Sequence, residues 1–288
     1  MHKLEWEIKQ VIKSNRDGSF STQKARSETF KTIVNQSKEV GFRRITINSL
    51  LTEKTISKFV NHWKNDGKSS GTIKNRMSHL RWLGNKKNVA SKIPNNQKLG
   101  IENRVNISNI NKAIRLEQKN LDRIDNENVK DSLRVQSLFG ARGEESMKFN
   151  PFFADRGDRI ALKSNWCKGN VYREIPILTK DQRTLIDDLK SKYGNNSLIP
   201  ANKSYKEHLK TYQYEVKKSG LGKAHGLRHQ YAQDRYKTLT GNNCPVCGGK
   251  RQRGMTKAER DLDKNARLKI SSELGHGREQ IIATYLGS

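Results

Sequence analysis

The chain has 288 residues, with 57 Lys and Arg against 29 Asp and Glu and a formal charge of +28. That length supports one large or two modest domains, two being the working count, and the charge selects a polyanion, nucleic acid first, as partner. A hydrophobic content of 33% without a long apolar run leaves no membrane-spanning helix. The stretch from Met1 to Lys24 is polar and lacks the apolar core of a secretory signal, so the expected location is the cytoplasm. Cys167, Cys244 and Cys247 are too few, and odd in number, for a disulfide framework, which suits a reducing compartment.

After a lead-in over residues 1–20, helical spacing begins. Phe30, Ile33 and Val34 lead through Ser37 to Val40, and Gly41 is placed to end that helix. Thr52 is positioned to cap a second helix that carries Ile56, Phe59, Val60 and Trp63 on one face and stops at Gly67. A third runs from about Thr72, with Ile73, Met77, Leu80 and Leu83 inward. Lys74, Arg76 and Arg81 fall largely on its other faces, where they are candidate DNA-binding residues. These helices define a domain over 21–91. The run Lys92-Ile93-Pro94-Asn95-Asn96 then loses the period, and 92–108 reads as a linker.

A second domain over 109–288 opens with an expected helix through Ile110, Ala113, Ile114 and Leu121, followed by another from about Val129 to Phe139. Arg159–Lys163 and Val171–Ile177 read as strands, the second alternating Val171, Arg173, Ile175 and Ile177 against Tyr172, Glu174 and Pro176. Lys168-Gly169-Asn170 supplies the turn between them. Beyond Asp181 the chain reads as mostly helical, broken by a Gly, Asn, Cys and Pro-rich stretch from about Gly241 to Gly254.

Three separated clusters carry candidate chemistry. Arg142 follows an apolar helix in Phe139-Gly140-Ala141-Arg142; its planar fork suits two oxygens of one phosphate, and Glu145, one turn on, is placed to hold it. His225 and Arg228 lie at i and i+3 and face the same way. In Leu274-Gly275-His276-Gly277-Arg278, His276 precedes Tyr285 by nine positions. Taken singly, each has an ordinary explanation: a surface Arg, a weak His-x-x-Arg, a packed aromatic.

In this order, Arg, a Lys in a strand-connected turn, His-x-x-Arg, then Gly-His nine residues before a Tyr, the set resembles the catalytic domain of the tyrosine recombinase, or phage integrase, family. Leu227-Arg228-His229 with Leu274-Gly275-His276 resembles its second box, and Arg142 with Glu145 its first. The N-terminal helices, including the run from Ser70 to Arg81, resemble the family's core-binding domain. The resemblance implies a mainly α fold with a small β-sheet (α+β), in two domains: a helical, SAM-like core-binding domain and a catalytic domain, clamping duplex DNA. It also implies that Arg142, Lys168, His225, Arg228 and His276 surround a scissile phosphate that Tyr285 attacks. Lys168 would then protonate the leaving 5′-oxygen, His225 serve Tyr285 as acid or base, and His276 bond a phosphate oxygen. A phosphotyrosine conserves the energy of the broken bond, so no cofactor is expected.

The implied function is site-specific recombination that integrates and excises a mobile genetic element. The implied partners are double-stranded recombination sites and further protomers: a homo-tetramer on two sites, a monomer or weak dimer when free, with an accessory directionality factor. A nucleoid-associated location goes with that. Three readings stay open beside it: a Xer-like dimer resolvase, a type IB topoisomerase, and a non-catalytic DNA-binding regulator on the same fold. The chain departs from the family pattern in two places. Only Leu286, Gly287 and Ser288 follow Tyr285, and the insertion before His276 holds Cys244-Pro245-Val246-Cys247. Cys-x-x-Cys is half a zinc site, but with no second pair evident Cys244 and Cys247 read as a structural turn rather than metal ligands.

Overall fold

Leu4, Ile8 and Val11 follow one another at intervals of four and three residues, and in the computed structural model they form the buried stripe of a helix, α1 (Lys3–Ser14). Residues 1–20, read from sequence as a polar lead-in, therefore contain a packed element. Its stripe is one residue wide and diluted by charged neighbours, which hides it from composition. The structure describes residues 3–105, 107, 109–276 and 278–288. Ser108, at the end of the expected linker, and Gly277, beside His276, lie outside them.

The chain divides into two units, Met1–Val105 and Asn106–Ser288. In the first, α2 (Phe20–Gln36) is capped by Ser19 and a short α3 (Ile47–Leu50) by Thr46. Thr52 caps α4 (Glu53–Asn65) and Ser69 caps α5 (Ser70–Lys86), each cap oxygen accepting a backbone N–H in the first turn. Phe30, Ile33, Phe59, Trp63, Met77 and Leu80 meet in one core. The first part of the expected linker joins that core, since Ile93, Leu99 and Ile101 are buried in it. Arg81 Nη2 donates to the Pro94 carbonyl and to Asn96 Oδ1, both at 2.9 Å, so the polar composition of 92–96 reflects hydrogen bonding rather than slack chain.

The second unit contains α6 (Gln118–Leu121), α7 (Glu127–Phe139), α8 (Gly143–Met147) and α9 (Pro151–Ala154). Strand β1 (Arg159–Leu162) pairs antiparallel with β2 (Arg173–Pro176), Ile160 opposite Ile175. Then follow α10 (Lys180–Tyr193), α11 (Tyr205–Lys218), α12 (His225–Thr240), α13 (Lys257–Glu273) and α14 (Ala283–Leu286). The fold is thus mainly helical with one two-stranded sheet. Ile110, Ala113 and Ile114, expected on a helix, instead run irregularly, with helix only from Gln118. Asn111 Oδ1 takes the Ala113 N–H at 2.9 Å and Ile114 N–H reaches the Gly226 carbonyl at 3.1 Å, bonds that compete with helix. Among the described residues no helix is long and apolar enough to cross a membrane.

Candidate active site

Gly140 ends α7 in the left-handed region, φ 61°, and a Cβ there would lie 2.5 Å from the Tyr231 ring. That close approach lets the Gly140 carbonyl accept from Arg228 Nη1 at 2.6 Å. The next turn makes Arg142 the N-cap of α8. Its backbone N–H donates to Glu145 Oε2 at 2.6 Å and its Nη1 to Glu145 Oε1 at 2.7 Å. Glu145 is fully buried, while the Arg142 side chain keeps 20% of its surface exposed.

Arg228 projects from the first turn of α12 and is almost wholly buried. Besides Gly140 it donates from Nη2 to the Leu274 carbonyl, and from Nε to Tyr285 Oη at 3.2 Å. His276, just past α13, places Nε2 3.2 Å from the same Tyr285 oxygen and 3.3 Å from Arg228 Nη2. Two side chains, Arg228 and His276, thus meet at one phenol, itself 5% exposed. His225 has its ring centroid 6.0 Å from that of Tyr285, against 5.6 Å for His276, but makes no hydrogen bond to the phenol. His276, rather than His225, is therefore the imidazole within hydrogen-bonding reach of the phenol. Lys168 stands exposed in the turn after Cys167, with Gly169 and Asn170 both at positive φ, and forms no hydrogen bond or ion pair among the described residues.

Burial dominates the electrostatics. It pulls Arg228 down to about 10, still charged at neutral pH, with Tyr285 opposing the shift and Arg142 adding to it. Burial, reinforced by Arg228, Arg142 and Arg173, pushes His276 down to about 4. His225 is lowered by burial and then by Arg228 and Arg142. Burial acts to raise Glu145, but hydrogen bonding and charge from Arg173, then the Arg142 N–H and charge, hold it at about 2. The result is a set of fixed cations with a neutral imidazole, His276, against a phenol. Such an arrangement can neutralise charge developing on the oxygens of a bound phosphate and can accept a proton from a neighbouring hydroxyl.

Two neighbours have no role in the motif reading. His229 packs against Tyr285 with ring centroids 4.6 Å apart, and burial, then His225, Lys112 and Arg228, lower it to about 4. It lies at i+4 from His225, so helical spacing was the available signal. Arg173 is the charged member of the inward-facing set on β2, and a cation at an inward strand position was its signal.

The candidate DNA-binding residues sit in the first unit, each with an intramolecular partner. Lys74 Nζ donates to Asn103 Oδ1 at 3.1 Å, the Arg76 guanidinium lies 4.8 Å from the Trp63 ring centre, and Arg81 ties down 94–96. Cys244 and Cys247 bracket a tight turn in which Cys247 N–H donates to the Cys244 carbonyl at 2.9 Å. No group of three or more His, Cys, Asp or Glu fit for a metal occurs among the described residues.

Residues 1–90 match the family model described as phage integrase, N-terminal. The chain is similar to a lambda integrase fragment in a dimer bound to a COC′ core site, with TM-score 0.62, 15% identity and coverage of 98% of this chain and 93% of that one. The chain carries a phage-integrase N-terminal domain and the tyrosine recombinase fold. XerH site-specific recombinase in its post-cleavage complex on palindromic difH gives TM-score 0.58 and 18% identity, covering 98% and 80%. The Tn1549 transposon integrase on circular intermediate DNA gives 0.57 and 13%, covering 100% and 96%. At these identities the likeness is one of fold. No curated protein sequence matches the chain.

Proposed function

We propose that this chain is a site-specific DNA recombinase that cleaves and rejoins duplex DNA through a 3′-phosphotyrosyl bond on Tyr285, in the service of a mobile genetic element. The observation that carries this reading is the Tyr285 hydroxyl held 3.2 Å from both Arg228 Nε and His276 Nε2. In the proposed step the phenolic oxygen attacks phosphorus and gives its proton to neutral His276. Arg228 and the exposed fork of Arg142 take the non-bridging oxygens, and the bond to the 5′-oxygen breaks as Lys168 supplies a proton to it. His225, with its nearest charges on Arg228 and Arg142, lines the phosphate side. Rejoining reverses the sequence, with a 5′-hydroxyl as nucleophile.

Exchange between two duplexes breaks four strands, and one tyrosine serves each, so the proposed assembly is a tetramer on two sites, with a monomer or weak dimer when free. We assign Lys74, Arg76 and Arg81 to backbone contacts of the N-terminal domain, and place the protein in the cytoplasm, on the nucleoid, with an accessory directionality factor. A nicked duplex whose short 5′-flank diffuses away tests the reading. Wild type should accumulate as a denaturant-resistant adduct on the 3′-phosphate, whereas a DNA-binding regulator would bind and leave every strand intact.

A further inference from the structure

Arg173 belongs to none of the three sequence clusters, yet it bonds Glu145 of the first and packs against Gly275 of the third. Its side chain is 4% exposed and donates from Nη1 and Nη2 to Glu145 Oε1 and Oε2, at 3.0 and 2.5 Å. Its Nε donates to the Glu273 carbonyl at 2.9 Å, three residues before His276, and Nη1 also lies 3.2 Å from Cys167 Sγ, next to Lys168. Gly275 admits the guanidinium: a Cβ there would lie 2.9 Å from Arg173 Cδ. The carboxylate of Glu145 is thereby shared, Oε1 between Arg173 and Arg142 Nη1, and Oε2 between Arg173 and the Arg142 N–H.

This sharing has an electrostatic consequence. Arg142 with Glu145 alone is a neutral pair, whose carboxylate is free to chelate the guanidinium from both oxygens. With Arg173 the trio carries a net positive charge, the carboxylate is held from its far side, and Arg142 Nε and Nη2 stay uncommitted among the described residues. Those two donors are the fork a phosphate needs. A buried ion pair seldom stabilises a fold more than apolar packing of the same volume would, so stability is a weak reason to place an Arg here. We propose that Arg173 is a positioning residue for strand cleavage, acting through Glu145 to keep the Arg142 fork charged, unchelated and aimed at the scissile phosphate. The inference rests on the strand-cleavage reading above.

The test compares two nicked duplexes, one with an ordinary phosphodiester and one with a methylphosphonate at the scissile position, which carries one negative charge fewer and asks less of the clamp. Single-turnover strand cleavage at saturating protein is followed for wild type, Arg173→Met and Arg173→Gln; the amide of the second can still donate to Glu145 should the first fail to fold. On the phosphodiester the variants should cleave roughly 10²-fold more slowly than wild type, the scale of losing one charge-stabilising donor, with DNA retention unchanged. On the methylphosphonate the gap should narrow by about tenfold or more, because the lost function is charge neutralisation. An equal gap on both substrates would mean that Arg173 only supports the fold, and a variant as fast as wild type would show that it is dispensable; either result overturns the proposal. Absence of cleavage by wild type on its own site would instead remove the strand-cleavage reading, and this inference with it.

Discussion

The two units bury charge in opposite ways. In the first, Arg26 is the only buried charged residue among those described, and it lies flat over Trp82 at 3.7 Å with Asp17 3.2 Å away at the rim. Most other cations of that unit stay at the surface or half-buried against aromatic faces and carbonyls, as Arg76 and Arg81 do. The second unit buries Asp131, Glu145, Arg173, Glu215, Arg228, Asp263, Arg267 and Glu273. Removing an ion from water costs several kcal/mol before any partner offsets it, so a unit that does so repeatedly trades stability for fixed geometry. The contrast separates a unit that leaves its cations at or near the surface from one that buries them against carboxylates and carbonyls.

Arg228 sharpens this contrast most. Arg228→Met strands the Gly140 and Leu274 carbonyls and removes a donor from Tyr285, and should destabilise the second unit by about 3–5 kcal/mol while abolishing cleavage. Urea unfolding, with Trp166 reporting on that unit, checks the first part; a loss under about 1 kcal/mol would break the comparison, since surface pairs are worth that much.

Next comes Glu145, whose carboxyl is held at about 2 in the folded chain against 4.5 otherwise. A depressed carboxylate contributes stability that is fully present above 4.5 and lost as pH falls toward 2, here about 3 kcal/mol in all. The difference in unfolding free energy between wild type and Glu145→Gln should therefore shrink as pH drops from 5 to below 3. A difference independent of pH would place the stabilisation elsewhere.

The smallest effects belong to the first unit. Lys74→Ala should weaken DNA binding alike on all sequences and lower the salt slope of log affinity by about one, with little change in melting. Arg81→Ala also frees the 94–96 segment and should in addition cost about 1 kcal/mol of stability. If Lys74→Ala altered sequence preference, its assignment to backbone contact would fail.

Local rules made much of the fold legible. Thr52 caps α4, and Ile56, Phe59, Val60 and Trp63 are its buried face, because cap chemistry and helical period act within a few residues. Lys168-Gly169-Asn170 is the expected turn, its last two residues at positive φ. What stayed hidden depends on tertiary partners. The apolar residues of α1 mean little until their core exists, Ile114 gives up a helix to bond Gly226, and Ile93, Leu99 and Ile101 look like linker until Arg81 is seen to hold the chain. In the candidate site the motifs brought out Arg142, Arg228, His276 and Tyr285, but not which imidazole meets the phenol. That is decided by the turn through Gly275, and the role of Arg173 was hidden, though its inward strand position was not, because its partners, Glu145, Cys167 and Glu273, lie on three other segments.

The central claim is that Tyr285 is the nucleophile. Trapping the protein on a nicked cognate duplex, digesting the adduct and locating the modified peptide by mass spectrometry tests it directly, with Tyr285→Phe alongside. The account predicts a nucleotide on Tyr285 in wild type, and no adduct but retained DNA binding in Tyr285→Phe; an adduct that persists in that variant, or maps to Tyr231 or Tyr236, would contradict it.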